Sequence, residues 1–144
     1  MIGIILVSHG PMARAMIKTA EMILGKQENL HGVSLNADTN LDLLRGRVET
    51  AAQAAEAGQG VLVLVDMFGG TPANAVASNL RGNNYRCLCG VNLPMLLEAC
   101  LLRESMLLAE LATHVEDVAC RSVVNLNTAL ERTLRGDMPR IGGR

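Results

Sequence analysis

The segment VLVLVDMFGGTPANAVA (residues 61–77) contains the pattern of a complete strand, loop and helix. Its first five residues are apolar and mostly β-branched, which is typical of a strand buried on both faces of a parallel sheet. The loop 66–70 that follows carries an aspartate and two glycines. Thr71 then suits the N-cap of a helix and Pro72 its first position. We therefore expect a buried strand whose carboxyl end leads into a helix that runs to about residue 80.

The beginning of the chain repeats this pattern. Residues 2–7 are an apolar run, and a short loop with Ser8, His9 and Gly10 leads into Pro11 and an apolar helix. The other predicted elements are a strand over residues 30–35, a helix that follows the cap candidates 38–40 and ends at Gly58, a strand over residues 85–91, a helix that Asn92 opens and that runs to about residue 102, and a helix that runs to about residue 124.

Regular alternation of strands and helices predicts an α/β fold in which a doubly wound, mostly parallel sheet has helices on both faces. We expect one domain over residues 1–144, because this length suits a single core and no linker or repeat interrupts it. Residues 125–144 are ambiguous, and the patterns fit either an edge strand or a flexible tail.

The composition excludes several classes of function. A formal net charge of −1 and a single Tyr and Phe argue against nucleic-acid binding. The amino-terminal apolar run has neither the basic region nor the cleavage site of a signal peptide, so we expect a cytoplasmic location. The scattered cysteines lack the spacing of a zinc site and are expected in or near the core; they are Cys87, Cys89, Cys100 and Cys120.

Polar residues follow three of the predicted strands, and the carboxyl ends of parallel strands lie at one edge of a sheet, where ligands bind in this fold class. This placement gathers His9, Asp66, Thr71 and Asn92 on one side of the molecule. A histidine is a nucleophile, and a carboxylate on one ring nitrogen leaves the other nitrogen free to attack. Asp66 is the candidate for that carboxylate.

The loop beside Asp66 has the properties of a phosphate-binding turn. Gly69 and Gly70 allow the backbone to approach a phosphate closely, and Thr71 can add a hydroxyl donor. Such a site can hold a phosphoryl group on His9 without a metal or another cofactor. Each residue also has an ordinary structural interpretation, such as a helix cap for Asp66 or Thr71. We assign no role to His31 or His114, and the motifs of nucleotide-binding proteins and α/β-hydrolases are missing from the sequence.

Four segments in consistent order resemble the mannose-family IIA components of the bacterial sugar phosphotransferase system. They are IILVSHGPMA (4–13), KTAEMILG (18–25), VLVLVDMFGGTPANAVA (61–77) and CGVNLPMLLEA (89–99), and the likeness covers residues 1 to about 116. The resemblance implies that His9 accepts phosphate from the phosphocarrier HPr and passes it to a histidine of a IIB partner. It implies that Asp66 orients His9.

The resemblance also matches Thr71 to the hydroxyl residue of the family's glycine-rich turn. We expect the phosphate to lie against Gly10, Gly69, Gly70 and Thr71, with Phe68 and Asn92 at the rim. The resemblance further implies a sheet of order 2-1-3-4, an added antiparallel edge strand, a homodimer, and contact with the membrane only through permease components. Because 144 residues leave no room for a fused IIB domain, we expect the IIB component on a separate chain.

Two alternatives remain open. The phosphorylation state of His9 could serve regulation, by controlling which partner protein binds. The dihydroxyacetone-kinase phosphotransfer subunits also have an amino-terminal histidine, but the turn GGTPAN (69–74) is similar to the mannose type. The sugar cannot be inferred from the sequence.

Overall fold

The computed structural model describes residues 1–78 and 84–134. Their elements, in chain order, are β1 (Gly3–His9), α1 (Met12–Leu24), β2 (Leu30–Leu35), α2 (Leu41–Ala55), β3 (Val61–Val65), α3 (Thr71–Ala77), β4 (Tyr85–Cys89), α4 (Leu93–Leu102), α5 (Leu108–Arg121) and α6 (Leu126–Leu134). The alternation of strands and helices that the sequence predicts is confirmed.

The four strands form one parallel sheet of order β2-β1-β3-β4. The apolar strands β1 and β3 occupy the centre, and every residue of β3 is buried. The more polar strands β2 and β4 form the edges, because an edge strand keeps contact with solvent. The doubly wound α/β fold and the order 2-1-3-4 are therefore confirmed.

Two apolar layers cover the sheet, one on each face. The first layer joins α1, α4 and α5 to one set of strand side chains, including Ile4, Leu6 and Leu64. The second layer joins α2 and α3 to the alternate side chains, including Ile5 and Val63. The sheet thus holds the ends of its strands rigidly between two packed layers.

Several predicted boundaries were wrong by a few residues. Strand β1 continues through Ser8 and His9, whereas the sequence pattern predicts a loop at these two residues. Strand β4 stops at Cys89 and not at residue 91, because Gly90 has a φ of 89° and turns the chain away from the sheet. Helix α5 ends at Arg121, with Ser122 as its C-cap, and not at about residue 124. Helix α3 ends at Ala77; residues 79–83 lie outside the described residues.

The carboxyl-terminal region contains α6 over Leu126–Leu134, where the sequence left an edge strand or a tail open. Within the described ranges the sheet has no antiparallel strand. Residues 135–144, to which that expectation also applied, lie outside them. No helix in the described ranges has the length and apolar character needed to cross a membrane.

The cysteines are free thiols, and their predicted burial is only partly confirmed. Cys100 is buried and Cys87 and Cys89 are half-buried, whereas Cys120 is exposed on α5. Burial raises the pKa of Cys87 to about 12 and that of Cys100 to about 11. The prediction failed for Cys120 because apolar spacing on a helix does not fix which flank of the buried stripe faces solvent.

Candidate functional site

His9 and Asp66 meet at the carboxyl edge of the sheet. His9 is the last residue of β1, and Asp66 directly follows the neighbouring strand β3. The Asp66 amide donates to the Val7 carbonyl at 3.1 Å, which extends the ladder between the two strands by one bond. The pairing of adjacent strands therefore places the aspartate beside the histidine.

Three N–H groups converge on the carboxylate of Asp66. Oδ2 accepts the His9 backbone amide at 2.7 Å and lies 2.7 Å from His9 Nδ1. Oδ1 accepts the Met67 amide at 2.8 Å. Because an ionised carboxylate can only accept, Nδ1 is the ring nitrogen that carries the proton in this contact. Asp66 thus fixes both the tautomer and the orientation of the imidazole.

The environment of Asp66 favours its ionised form. Partial burial raises the pKa of this carboxyl, but the hydrogen bonds from the His9 amide, the His9 ring and the Met67 amide outweigh that effect. The pKa of Asp66 consequently lies below its ordinary value of 3.8. The side chain of Asp66 is 10% exposed, whereas that of His9 is 46% exposed. The site therefore has a shielded negative charge behind a histidine that solvent and partners can reach.

Nε2, the second ring nitrogen of His9, faces the backbone of Gly70. A Cβ added at Gly70 would lie 3.0 Å from His9 Cε1 and 3.6 Å from His9 Nε2. Gly70 therefore brings the main chain against the reactive edge of the ring at a distance that a side chain would obstruct. This close approach is the geometric reason for a glycine at this position.

Glycines shape the loops around His9. Gly10 and Gly69 have positive φ angles of 53° and 80°, a conformation that other residues rarely adopt. Gly70, and not Thr71 as predicted, occupies the N-cap position of α3, since its backbone is extended while Thr71 is already helical. Thr71 is half-buried at the first helical position. Gly10, Gly69 and Gly70 therefore lie in the loops that follow β1 and β3.

The two predicted rim residues differ in their surroundings. Phe68 is 87% exposed on the loop between Asp66 and Gly69. Asn92 caps α4 by accepting the Met95 amide at 3.0 Å, and its Nδ2 donates to Ser122 Oγ at 2.9 Å. The side-chain amide of Asn92 therefore ties α4 to the end of α5, a structural role that the sequence did not predict.

Ser8 is a residue of the site that the sequence analysis missed. Its side chain is buried, and its Oγ accepts the Ala13 amide at 2.8 Å. This bond fixes the first turn of α1 to the strand residue that precedes His9, because Ala13 lies in that turn. The small hydroxyl residue directly before the histidine was the only signal in the sequence.

The other histidines lie away from this edge. His31 is within β2, and Nε2 of His114 on α5 lies 3.0 Å from Oε1 of Glu98. In residues 1–78 and 84–134, no group of three or more histidine, cysteine or acidic side chains could hold a metal ion. Of the three histidines, His9 is the one that contacts a carboxylate at the carboxyl edge of the sheet.

In sequence, the chain is similar to known EIIA components of the phosphotransferase system. The family described as PTS system fructose IIA component matches residues 3–116. The fructose-specific EIIA component of Bacillus subtilis is 33% identical over 133 residues, which cover 92% of this chain and 91% of that protein. The mannose-specific EIIAB component of Escherichia coli K12 is 36% identical over 104 residues, or 72% of this chain. The chain spans about a third of the length of that relative, since the match covers 32% of it.

Solved structures resemble the fold over nearly its whole length. A phosphotransferase system component EIIA from Streptococcus agalactiae superposes with a TM-score of 0.80 and 29% identity, covering 89% of this chain and 99% of that one. A mannose/sorbose-specific IIA subunit from Enterococcus faecalis gives a TM-score of 0.78 and 26% identity, covering 98% of each chain.

Proposed function

Because the chain belongs to the mannose, fructose and sorbose family of EIIA components of the phosphotransferase system, we propose that it carries a phosphoryl group on Nε2 of His9. It accepts this group from phospho-HPr and passes it to a histidine of a IIB component during sugar uptake. The observation that carries the proposal is the contact of 2.7 Å between His9 Nδ1 and Asp66 Oδ2, which leaves Nε2 free beside Gly70.

In the first half-reaction, the lone pair of Nε2 attacks the phosphorus atom of the donor phosphohistidine. A new N–P bond forms on His9 as the N–P bond of HPr breaks, and the released electron pair returns to the ring of HPr. The proton on Nδ1 of His9 stays in its hydrogen bond to Asp66 throughout. The second half-reaction is the same step with His9 as donor and the IIB histidine as acceptor.

Asp66 contributes orientation and charge. The His9 ring gains positive character as Nε2 bonds to phosphorus, and an ionised carboxylate on Nδ1 stabilises that charge. The lowered pKa of Asp66 keeps the carboxylate ionised at neutral pH. Because the His9 amide binds the same oxygen, the ring needs no reorganisation when the donor arrives.

The loops supply candidate donors for the phosphoryl oxygens. No backbone acceptor is found for the amides of Gly69 and Gly70 in the part of the chain that the structure describes. We propose that these amides and the Thr71 hydroxyl bind the phosphoryl group, and that Gly10 leaves room for it on the side of β1. Phe68 is exposed beside the site and would contact a docked partner.

The partners, the location and the oligomeric state that we propose are based on membership of the family. We propose HPr and a IIB component as partners, a cytoplasmic location, a homodimer, and membrane contact only through permease components. The match to the family favours this type over the dihydroxyacetone-kinase subunits. We propose that the choice of sugar belongs to the membrane components of the system, as the family implies.

Intact-mass spectrometry after incubation with phosphoenolpyruvate, enzyme I and HPr tests the proposal. We expect a single acid-labile phosphoryl gain in the wild type and none in the His9→Ala variant. His114→Ala is the matched control, because this histidine also contacts a carboxylate but lies on α5 and not at the end of β1. Full labelling of His9→Ala would disprove the assignment, as would an unlabelled wild type in the presence of demonstrably active enzyme I and HPr.

A further inference from the structure

A groove of about 890 Å³ follows the outer edge of β2, on the side of the sheet away from β4. We call it the β2 groove. Its walls come from α1, from β2 and from α2, and they include Arg14, His31, Gly32, Ser34, Asp42 and Arg47. None of these residues belongs to the proposed phosphoryl site.

The backbone of β2 presents unpaired groups to this groove. The Ile4 amide donates to the Asn29 carbonyl at 2.9 Å, and the Gly10 amide donates to the Leu35 carbonyl at 2.8 Å. Backbone groups alternate in direction along a strand, so the odd-numbered residues of β2 bond to β1 and the even-numbered residues point outward. In the described ranges, the outward amides of Gly32 and Ser34 have no backbone acceptor.

Two buried polar side-chain atoms also lack partners in the described structure, and they lie on opposite faces of β2. The Ser34 hydroxyl belongs to a residue that is 8% exposed, on the face that α1 covers. His31 Nε2 lies on the alternate face, towards α2. A buried polar group costs free energy unless it finds a hydrogen-bond partner. The groove therefore offers hydrogen-bonding groups on both faces of the strand as well as along its edge.

The unpaired charge of the groove is positive. Arg14 is exposed on α1, and Arg47 on α2 donates to Thr39 Oγ1 at 3.3 Å and to the Ser34 carbonyl at 3.5 Å. Among the described residues neither arginine forms an ion pair, whereas the carboxylate of Asp42 is paired with Arg45 at 3.1 Å. An acidic ligand is complementary to this pair of arginines.

We propose that the β2 groove binds an extended acidic peptide segment of a partner protein, which adds a fifth strand to the sheet. An added strand pairs the outward amides of Gly32 and Ser34 with carbonyls of its own backbone. Its side chains alternate between the two faces, so they reach Ser34 on one side and His31 on the other. A compact anion could contact only one of these faces, which is why an extended ligand fits the groove better.

Other occupants conflict with the charge of the groove. The carboxyl-terminal residues 135–144 contain Arg135, Arg140 and Arg144 against a single Asp137, so they are basic like the groove. A second copy that paired strand β2 with strand β2 would bring Arg14 and Arg47 against the same two arginines. Like charges placed together oppose association.

Amide hydrogen exchange and NMR titration of the wild-type chain test this proposal. The probe is a seven-residue peptide of alternating glutamate and valine with blocked ends, and its comparison is the same peptide with lysine in place of glutamate. The acidic peptide should slow exchange at the Gly32 and Ser34 amides at least tenfold and leave the rates at His31 and Val33 unchanged. The basic peptide should have no effect.

Two variants separate the contributions of charge and of backbone. The double variant Arg14→Glu/Arg47→Glu should weaken binding of the acidic peptide at least tenfold, while Arg86→Glu, at the opposite edge strand, should leave it unchanged. Ser34→Pro should also abolish binding, because proline removes an outward amide without touching the bonds to β1. If Ser34→Pro fails to fold, the double variant Arg14→Glu/Arg47→Glu still tests the proposal, because both arginines are exposed.

The proposal is overturned if neither peptide protects these amides, if both protect them equally, or if the arginine double variant binds normally. It is also overturned if the protein forms a dimer through β2 that Ser34→Pro dissociates, since a second copy would then be the occupant. His9→Ala should bind the acidic peptide normally, so that failure of this proposal and failure of phosphoryl transfer are distinguishable.

Discussion

The substitution Asp66→Asn tests the central contact of the proposed site. The aspartate accepts three N–H donors through two oxygens, whereas an asparagine of the same shape has one oxygen and one amide nitrogen. We expect the asparagine oxygen to face His9, where it keeps two of the three bonds. The amide nitrogen then opposes the Met67 amide, so that one donor faces another.

This geometry sets the expected loss of stability. One hydrogen bond to a charged acceptor is lost at a side chain that is 10% exposed, which corresponds to about 1.5–3 kcal/mol. Phosphoryl transfer should also slow, because a neutral amide stabilises the positive His9 ring less than a carboxylate does. A loss of similar size in the transition state corresponds to roughly a ten- to hundredfold lower rate.

The difference in stability between the wild type and Asp66→Asn should decrease as the pH falls. Because the pKa of Asp66 is lowered in the folded state, its carboxylate contributes stability that is fully present above the ordinary value of 3.8. This contribution is lost as the pH falls through the lowered folded-state pKa. The free energies of unfolding of the wild type and Asp66→Asn should therefore differ most at neutral pH and converge in acid.

Urea unfolding at several pH values measures the stability, and quench-flow with phospho-HPr measures the rate. Asp117→Asn is the matched control, since Asp117 forms an exposed ion pair with Arg121 at 2.8 Å; such a pair is worth about 0–1 kcal/mol and should not affect transfer. Transfer by Asp66→Asn at the wild-type rate would refute the proposed role of the carboxylate. A stability difference that stayed constant into acid would refute the electrostatic explanation.

Three further substitutions test the loops and helices around the site. Gly70→Ala places a Cβ 3.0 Å from His9 Cε1, so single-turnover phosphoryl transfer should slow at least tenfold; an unchanged rate would mean that the Gly70 loop can move away. Ser8→Ala removes the acceptor of the buried Ala13 amide, and urea unfolding should show a loss of about 0.5–2 kcal/mol, whereas no loss would show that another group caps α1. Gly46→Ala, on α2 with open space around the added Cβ, should gain about 0.5–1 kcal/mol in the same assay without changing transfer, and a loss there would contradict the open environment of that helix face.

The positions of His9 and Asp66 were predictable because they depend on the strongest patterns in the chain. The apolar runs of β1 and β3 identify buried parallel strands, and the polar residue at the end of each must lie at the carboxyl edge. That β1 and β3 are neighbours did not follow from these patterns; the strand order came from resemblance to a family. Periodicity alone would have left the distance between His9 and Asp66 undetermined.

The remaining contacts were not predictable because they depend on tertiary geometry. Asn92 was a sound helix-cap candidate, but its second set of bonds reaches α5, about thirty residues away in sequence. The hydrogen bond from the Ala13 amide to Ser8 Oγ depends on the position of the first turn of α1 relative to the end of β1. The N-cap of α3 is Gly70 and not Thr71, and Gly70 also lies close to the His9 ring, a contact between elements that the sequence does not show. Sequence preferences thus identified the elements, and contacts between elements fixed the details.

The bond from the His9 amide to Asp66 explains how so few residues can hold a reactive ring in place. Asp66 Oδ2 binds the main chain and the side chain of the same residue, so the carboxylate cannot shift along β1 without losing both bonds. The hydrogen bonds between β1 and β3 fix the distance between His9 and Asp66, since the Asp66 amide itself donates to the Val7 carbonyl. The entropy of orienting the ring is therefore lost when the sheet forms, before a donor protein binds. In the proposed function, partner recognition falls to exposed loop residues such as Phe68, whose side chain is 87% exposed.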